Sequence, residues 1–355
     1  MRQSVIQYLV ITVLFSVSFN VRAQSWRLSS RAGLTMLYDS NVFESVDNAV
    51  QDQAGRFFLR LSSKGAFFRR ISASVQYSGA VEGYIQNGID SRMIHQIHGN
   101  LWAVMKKDLA CGVEIRGRDK SFFRSDRGYR FLYAQPVVQI SPNQNWSGRI
   151  FYSISDFNYI EGDLFDHTQN GWGISLQAVV NSRITIRLRW STGLSSYNRE
   201  AYAYSYINET LFQWMEKGEQ QSDRLNEWLL YMEVYYWAFF KLDAGYQVNH
   251  SNNYGYSFSR PRINLLIVKS LPGDFTIGLY YMQQWKKYED SLIPFLQLEP
   301  ETETEENNYL LFTLDKAITE KNTIQIRWGW YRNESPFRDL YYEKQVISFG
   351  FSRAF

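Results

Sequence analysis

Apolar and polar side chains take turns along most of this chain. In 183–194, Ile184, Ile186, Leu188 and Trp190 alternate with Thr185, Arg187, Arg189 and Ser191. In 322–331, Ile324, Ile326, Trp328 and Trp330 alternate with Thr323, Gln325, Arg327 and Gly329. Segments 109–118 and 226–236 repeat the pattern, and 347–355 carries Ile347, Phe349, Phe351 and Phe355 on one face. A period of two is the signature of a strand with one apolar face. Similar segments lie near 26–38, 55–64, 71–83, 93–105, 129–140, 146–157, 171–180, 239–249, 261–269, 274–286, 308–316 and 342–355. The expected number of strands is about sixteen, in a range of 14–18.

The connections alternate in length. Short ones include "KKD" at 106–108, "NSR" at 181–183 and "TEKN" at 319–322. Longer polar ones cover 39–53, 84–92, 119–128, 158–169, 198–224, 250–259, 287–306 and 333–341. Short turns on one side and long loops on the other are the pattern of a transmembrane barrel. The predicted fold is therefore all-β: an antiparallel up-and-down transmembrane β-barrel.

Composition agrees with that reading. Aromatic residues make up 17% of the chain, more than a soluble sandwich needs, yet mean hydropathy is −0.36. The apolar residues are dispersed rather than gathered into spans. The one apolar run, Leu9 to Val17, follows Arg2 and precedes "VRA". It is too short for a membrane helix of about 20 residues and reads as a cleaved signal peptide over 1–23. Residues 24–355 form the single expected barrel domain. Without Arg2 and Arg22, 36 basic residues face 35 acidic ones, a net charge of +1. That balance gives no reason to expect a nucleic-acid partner. The lone Cys111 cannot form an internal disulfide and reads as a small apolar strand residue.

A strand running to a terminal aromatic, Phe355, resembles the last strand of bacterial outer-membrane barrels. The resemblance implies that Phe355 is read by the barrel-insertion machinery. "YDSNVFES" at 38–45 resembles the early Y-D-[SD]-N-V-F segment of a group of β-barrel porin proteins, some linked to exopolysaccharide export. A related segment occurs in barrels that modify lipoprotein display, which carry a helical repeat domain first. Here strand patterning begins directly at Trp26. Tyr38, Asp39 and Asn41 are expected to form a rim turn, because Asp and Asn bond their own backbone.

Candidate chemistry is sparse. His95 and His98 would make a metal pair on a helix, but three residues apart on a strand they point to opposite faces. His167, beside Asp166, is expected as a solvated loop histidine, and no nucleophile elbow or carboxylate pair accompanies it. No enzyme activity, metal or other cofactor is expected. The acidic stretch 299–306 reads as a solvated loop, or a divalent-cation site between lipopolysaccharide head groups. The aromatics of 198–224 suggest a loop folded back onto the rim or into the lumen.

With the apolar phase facing lipid, the opposite phase carries Arg56, Arg60, Arg92, Arg116, Arg118, Arg149, Arg187, Arg189, Arg262, Arg327 and Lys241. It also carries Glu82, Glu114, Glu227, Glu233, Asp243 and Asp315. A surplus of Arg in a lumen selects for anions, centred here on Arg116, Arg118, Arg187, Arg189 and Arg327. The expected function is an outer-membrane channel for small polar or anionic solutes. Export or assembly of a surface polysaccharide, and a structural or adhesive barrel with a plugged lumen, are the alternatives. The expected surroundings are outer-membrane lipid and lipopolysaccharide, with an anionic solute or polysaccharide as cargo.

Overall fold

The computed structural model describes residues 25–42, 49–67, 70–125, 128–160, 162, 165–206, 212–290, 307–333 and 342–355. The expected signal peptide 1–23 and the acidic stretch 299–306 lie outside the described residues. Sixteen antiparallel strands form one closed sheet. They are β1 (Ser25–Asp39), β2 (Asp52–Phe67), β3 (Ile71–Tyr84), β4 (Arg92–Lys106), β5 (Leu109–Phe122), β6 (Tyr129–Ile140), β7 (Trp146–Tyr159) and β8 (His167–Asn181). The series continues with β9 (Ile184–Tyr206), β10 (Phe212–Tyr235), β11 (Phe239–Ser251), β12 (Phe258–Leu271) and β13 (Phe275–Gln284, resuming at Lys287–Tyr288). It ends with β14 (Asn307–Ala317), β15 (Asn322–Asn333) and β16 (Glu343–Ala354).

Each strand pairs with its neighbours in sequence, and β16 returns to β1. That seam runs from Arg31 opposite Ala354 to Asp39 opposite Val346. The Phe355 N–H extends it by donating to the Ser30 carbonyl at 3.0 Å. Lipid offers a bare N–H or C=O no partner, so closure is what lets strands cross a membrane.

The core is inside out relative to a soluble sandwich. Among the strands, the buried apolar side chains Ala54, Tyr129, Val137, Phe151, Phe157, Tyr197, Ala201, Leu229 and Met282 all point into the barrel. Leu34, Met36, Ile115, Ile150, Leu188, Leu230, Ile326 and Phe349 point outward and are exposed. An exposed apolar belt of this breadth is matched to a bilayer.

The strand pattern was legible, but one long loop was not a loop. Residues 198–224 are mostly the upper halves of β9 and β10, paired from Ser196 opposite Ser222 up to Tyr206 opposite Phe212. The hairpin bulges between Glu216 and Ser222, where Gly218 takes φ +69°. Above the apolar belt no face has to be hydrophobic, so 195–200 and 216–222 carry no apolar alternation, and the aromatics beyond them read as loop packing.

Candidate functional site

At the long-loop end, residues 38–42 stitch the seam. Asp39 Oδ1 accepts the Asn41 N–H at 3.0 Å, a turn closed by the side chain. Asn41 is buried and donates through Nδ2 to the Glu343 carbonyl at 3.3 Å. Ser40 and Gln345 exchange two bonds: the Ser40 N–H to the Gln345 carbonyl at 3.0 Å, and the Gln345 N–H to Ser40 Oγ at 2.8 Å. Tyr38 bonds Gln51 at 2.6 Å. An Asn41→Ala substitution removes the partly buried hydrogen bond from Nδ2 to the Glu343 carbonyl across the seam and should cost about 1 kcal/mol. Urea unfolding in vesicles measures it, and an unchanged midpoint would remove the stitch.

Below this rim lies a cavity of about 620 Å³ between the seam strands and β2 to β5. Arg31, Arg56, Arg60, Arg92, Arg118, Arg327 and Lys344 line it, with Asp39, Glu82 and Asp315 as the acids. Each acid is engaged. Glu82 takes Arg92 at 2.8 Å and Arg56 at 3.9 Å, Asp39 takes Lys344 at 3.8 Å, and Asp315 accepts from Gln325 at 2.7 Å. Arg31 and Arg60 have no ion-pair partner among the described residues, yet they sit directly opposite each other on β1 and β2. Like charges opposite one another destabilise a sheet, so the register leaves an uncompensated pair of positive charges facing the cavity. Arg31 was absent from the sequence-based set although it lies in the polar phase of β1. Its juxtaposition with Arg60 depends on register, which no local pattern encodes.

The other predicted cations divide into two groups. Arg118 and Arg327 line the seam cavity. Arg116 lies beyond the cavity on β5, Arg187 and Arg189 belong to β9 across the barrel, and all three lie over rings. Arg116 is 5.4 Å from the Tyr133 centroid, Arg187 5.9 Å from Tyr231 and Arg189 4.4 Å from Phe151. Arg116 also pairs with Glu114 at 3.4 Å, and Arg187 donates twice to Gln177 Oε1. These contacts fix the guanidinium planes against the wall.

Toward the long-loop end the wall across the barrel becomes a packed polar and aromatic cluster. His167 opens β8, stacks on Phe157 at 5.4 Å and meets the tilted Tyr197 ring at 4.8 Å, with Nδ1 at 3.1 Å from the Phe165 carbonyl. It is therefore not a solvated loop histidine, because β8 begins four residues earlier than the apolar pattern does. Asp166 Oδ1 instead caps the Tyr159 N–H at 2.7 Å. Arg199 lies over Phe165, Tyr197 and Tyr256. Buried Asp223 accepts from Gln221 at 3.0 Å, Asn249 at 3.1 Å and Ser251 at 2.6 Å. Gln221 Oε1 in turn accepts from Arg199 and from Asn253.

This network pins the loop 252–257 onto the lumen side of the tall hairpin. The Tyr202 N–H donates to Asn253 Oδ1 and its carbonyl accepts from the Tyr254 N–H. The segment packed over the lumen is thus 252–257, while 198–206 and 212–224 stand up as paired strand. A six-residue polar loop gave no sequence signal for this; its anchors, Gln221 and Asp223, were read as loop.

Outward positions match the alternation. Leu188 and Ile326 are exposed on the outer wall, and Trp190, Trp328 and Trp330 share their phase. Trp330 Nε1 reaches Glu343 at 2.7 Å and Trp328 Nε1 reaches Gln345 at 3.4 Å, keeping both indole N–H groups in polar company. His95 points outward to the Tyr77 hydroxyl at 2.6 Å, whereas His98 points inward, so the two cannot share an ion. Cys111 faces outward on β5. The Phe355 ring is exposed on the outer side.

No protein-family model matches the chain, and no curated protein matches it. Solved structures do. OprB of Pseudomonas putida aligns over 94% of this chain and 94% of its own at 9% identity, with a TM-score of 0.50. A BenF-like porin from Pseudomonas fluorescens aligns over 94% and 100% at 7% identity, with a TM-score of 0.49. OccK8 of Pseudomonas aeruginosa covers 94% and 98% at 8% identity, with a TM-score of 0.46. At such identities the match to OprB carries the fold, a closed outer-membrane-type barrel, and no residue roles.

Proposed function

We propose that the protein is an outer-membrane channel through which small anionic solutes pass along the seam side of the lumen. The observation that carries this reading is the unpaired Arg31–Arg60 couple in a cavity with seven basic and three acidic side chains. The opposite wall is filled by packed aromatics, which narrows the aqueous path toward that cavity. Unpaired guanidinium groups in a confined, water-filled passage hold a positive potential that admits anions and resists cations. Arg also offers a flat fork for carboxylate or phosphate. Short-turn and long-loop ends then face the periplasm and the exterior.

Single-channel reversal potentials across a salt gradient test it. Wild type should be anion-selective. Arg31→Ala with Arg60→Ala should move the reversal potential toward cation preference. Arg187→Ala with Arg189→Ala should move it less, because those groups already lie against rings and Gln177. A cation-selective wild type, or selectivity indifferent to losing Arg31 and Arg60, would defeat the assignment. The absence of any steady current would favour a plugged barrel.

A further inference from the structure

The outer wall from β7 to β11 carries a notch that solute passage does not use. Its floor is bounded by a row of aromatics. Trp190 and Trp228 are cross-strand neighbours, Trp172 meets Trp190 edge-on at 4.8 Å, and Tyr246 lies 6.1 Å from Trp228. One step toward the long-loop end the outward side chains shrink to Thr192 and Asn226, opposite one another. The depression left there measures about 590 Å³, with Tyr152, Trp172 and Leu194 on its sides. One step further, Arg224 and His250 face each other across β10 and β11 and close the upper edge.

Both side chains are exposed, and neither has a hydrogen-bond or ion-pair partner among the described residues. The contrast with Arg130 matters. That outward cation, also near the long-loop end, is paired with Asp119 at 3.2 Å. Aromatic rows of this kind sit at the membrane–water interface, which sets Arg224 and His250 at the level of the lipid head groups. On the long-loop side those belong to the outer leaflet.

We propose that the notch binds one phosphorylated glycolipid of that leaflet, lipopolysaccharide. A phosphate of its lipid A would lie on Arg224 and His250, and its sugar–acyl portion on Trp172 and Leu194. The guanidinium fork matches phosphate, and the notch opens sideways into the bilayer, where a lipid can enter and a soluble anion has no apolar surface to gain.

The test is native mass spectrometry of the barrel, refolded in detergent without lipopolysaccharide and titrated with bisphosphorylated lipid A. Wild type should retain one lipid A. Arg224→Ala with His250→Ala should weaken binding about tenfold or more, a difference of about 1.4 kcal/mol. Thr192→Trp, which fills the notch and leaves Arg224 and His250 in place, should weaken it similarly, as should lipid A stripped of phosphate. All substitutions are outward-facing, so single-channel conductance should stay at the wild-type value and report correct folding. Equal retention by the double variant, or of phosphate-free lipid A, would overturn the site. Displacement of lipid A by millimolar inorganic phosphate would overturn the lipid and leave a free-anion site.

Discussion

Replacing Leu188 with Arg should destabilise the barrel in lipid vesicles by about 2–4 kcal/mol, the cost of a cation near the bilayer midplane. Leu188 faces outward between Leu176 of β8 and Leu230 of β10, which sit directly opposite it. All three are exposed on the outer wall. The outward series Ile184, Ile186, Leu188 and Trp190 gives way to Thr192 one step beyond the Trp, so Leu188 lies within the belt. Ser196 shares the outward phase but sits above the belt. Arg there should cost about 0–1 kcal/mol, the interfacial value. Urea unfolding followed by tryptophan fluorescence compares the two. Equal costs at 188 and 196 would mean that the exposed apolar wall does not face lipid.

Replacing Asp223 with Ala should release the loop 252–257. The carboxylate is buried and serves three donors. Removing it leaves Gln221, Asn249 and Ser251 unpaired, and one unsatisfied buried group costs about 1–3 kcal/mol. Partial rehydration from the lumen keeps the expected total near 2–4 kcal/mol, taken as local opening rather than loss of the barrel. Amide exchange at Tyr254, whose N–H bonds the Tyr202 carbonyl, should accelerate about tenfold or more. Asp223→Asn keeps one acceptor and should have a smaller effect. Unchanged protection at Tyr254 in the Ala variant would sink the idea that Asp223 pins the loop.

The period of two seen in Ile184 to Trp190 and Ile324 to Trp330, repeated along the chain, was enough to give an approximate strand number and the inward and outward phase, while the alternation of short and long connections pointed to the barrel. A bilayer demands one apolar face on each crossing strand, and a period of two writes that demand into consecutive residues. The polar phase, with Arg187, Arg189 and Arg327 in it, was legible for the same reason. Other features waited on the folded sheet. Arg31 and Arg60 meet because β1 and β2 pair in one register, and a shift of two residues would keep both alternations while separating them. The hairpin of β9 and β10 rises above the membrane, where a polar stretch interrupts the alternation and the aromatics beyond it, such as Tyr202, read as loop packing. Asp223 reaches Asn249 and Ser251 only once β10 lies beside β11. The notch at Thr192 and Asn226 likewise exists only between neighbouring strands. Facing is a local property of the sequence; adjacency depends on hydrogen-bond partners far away along the chain.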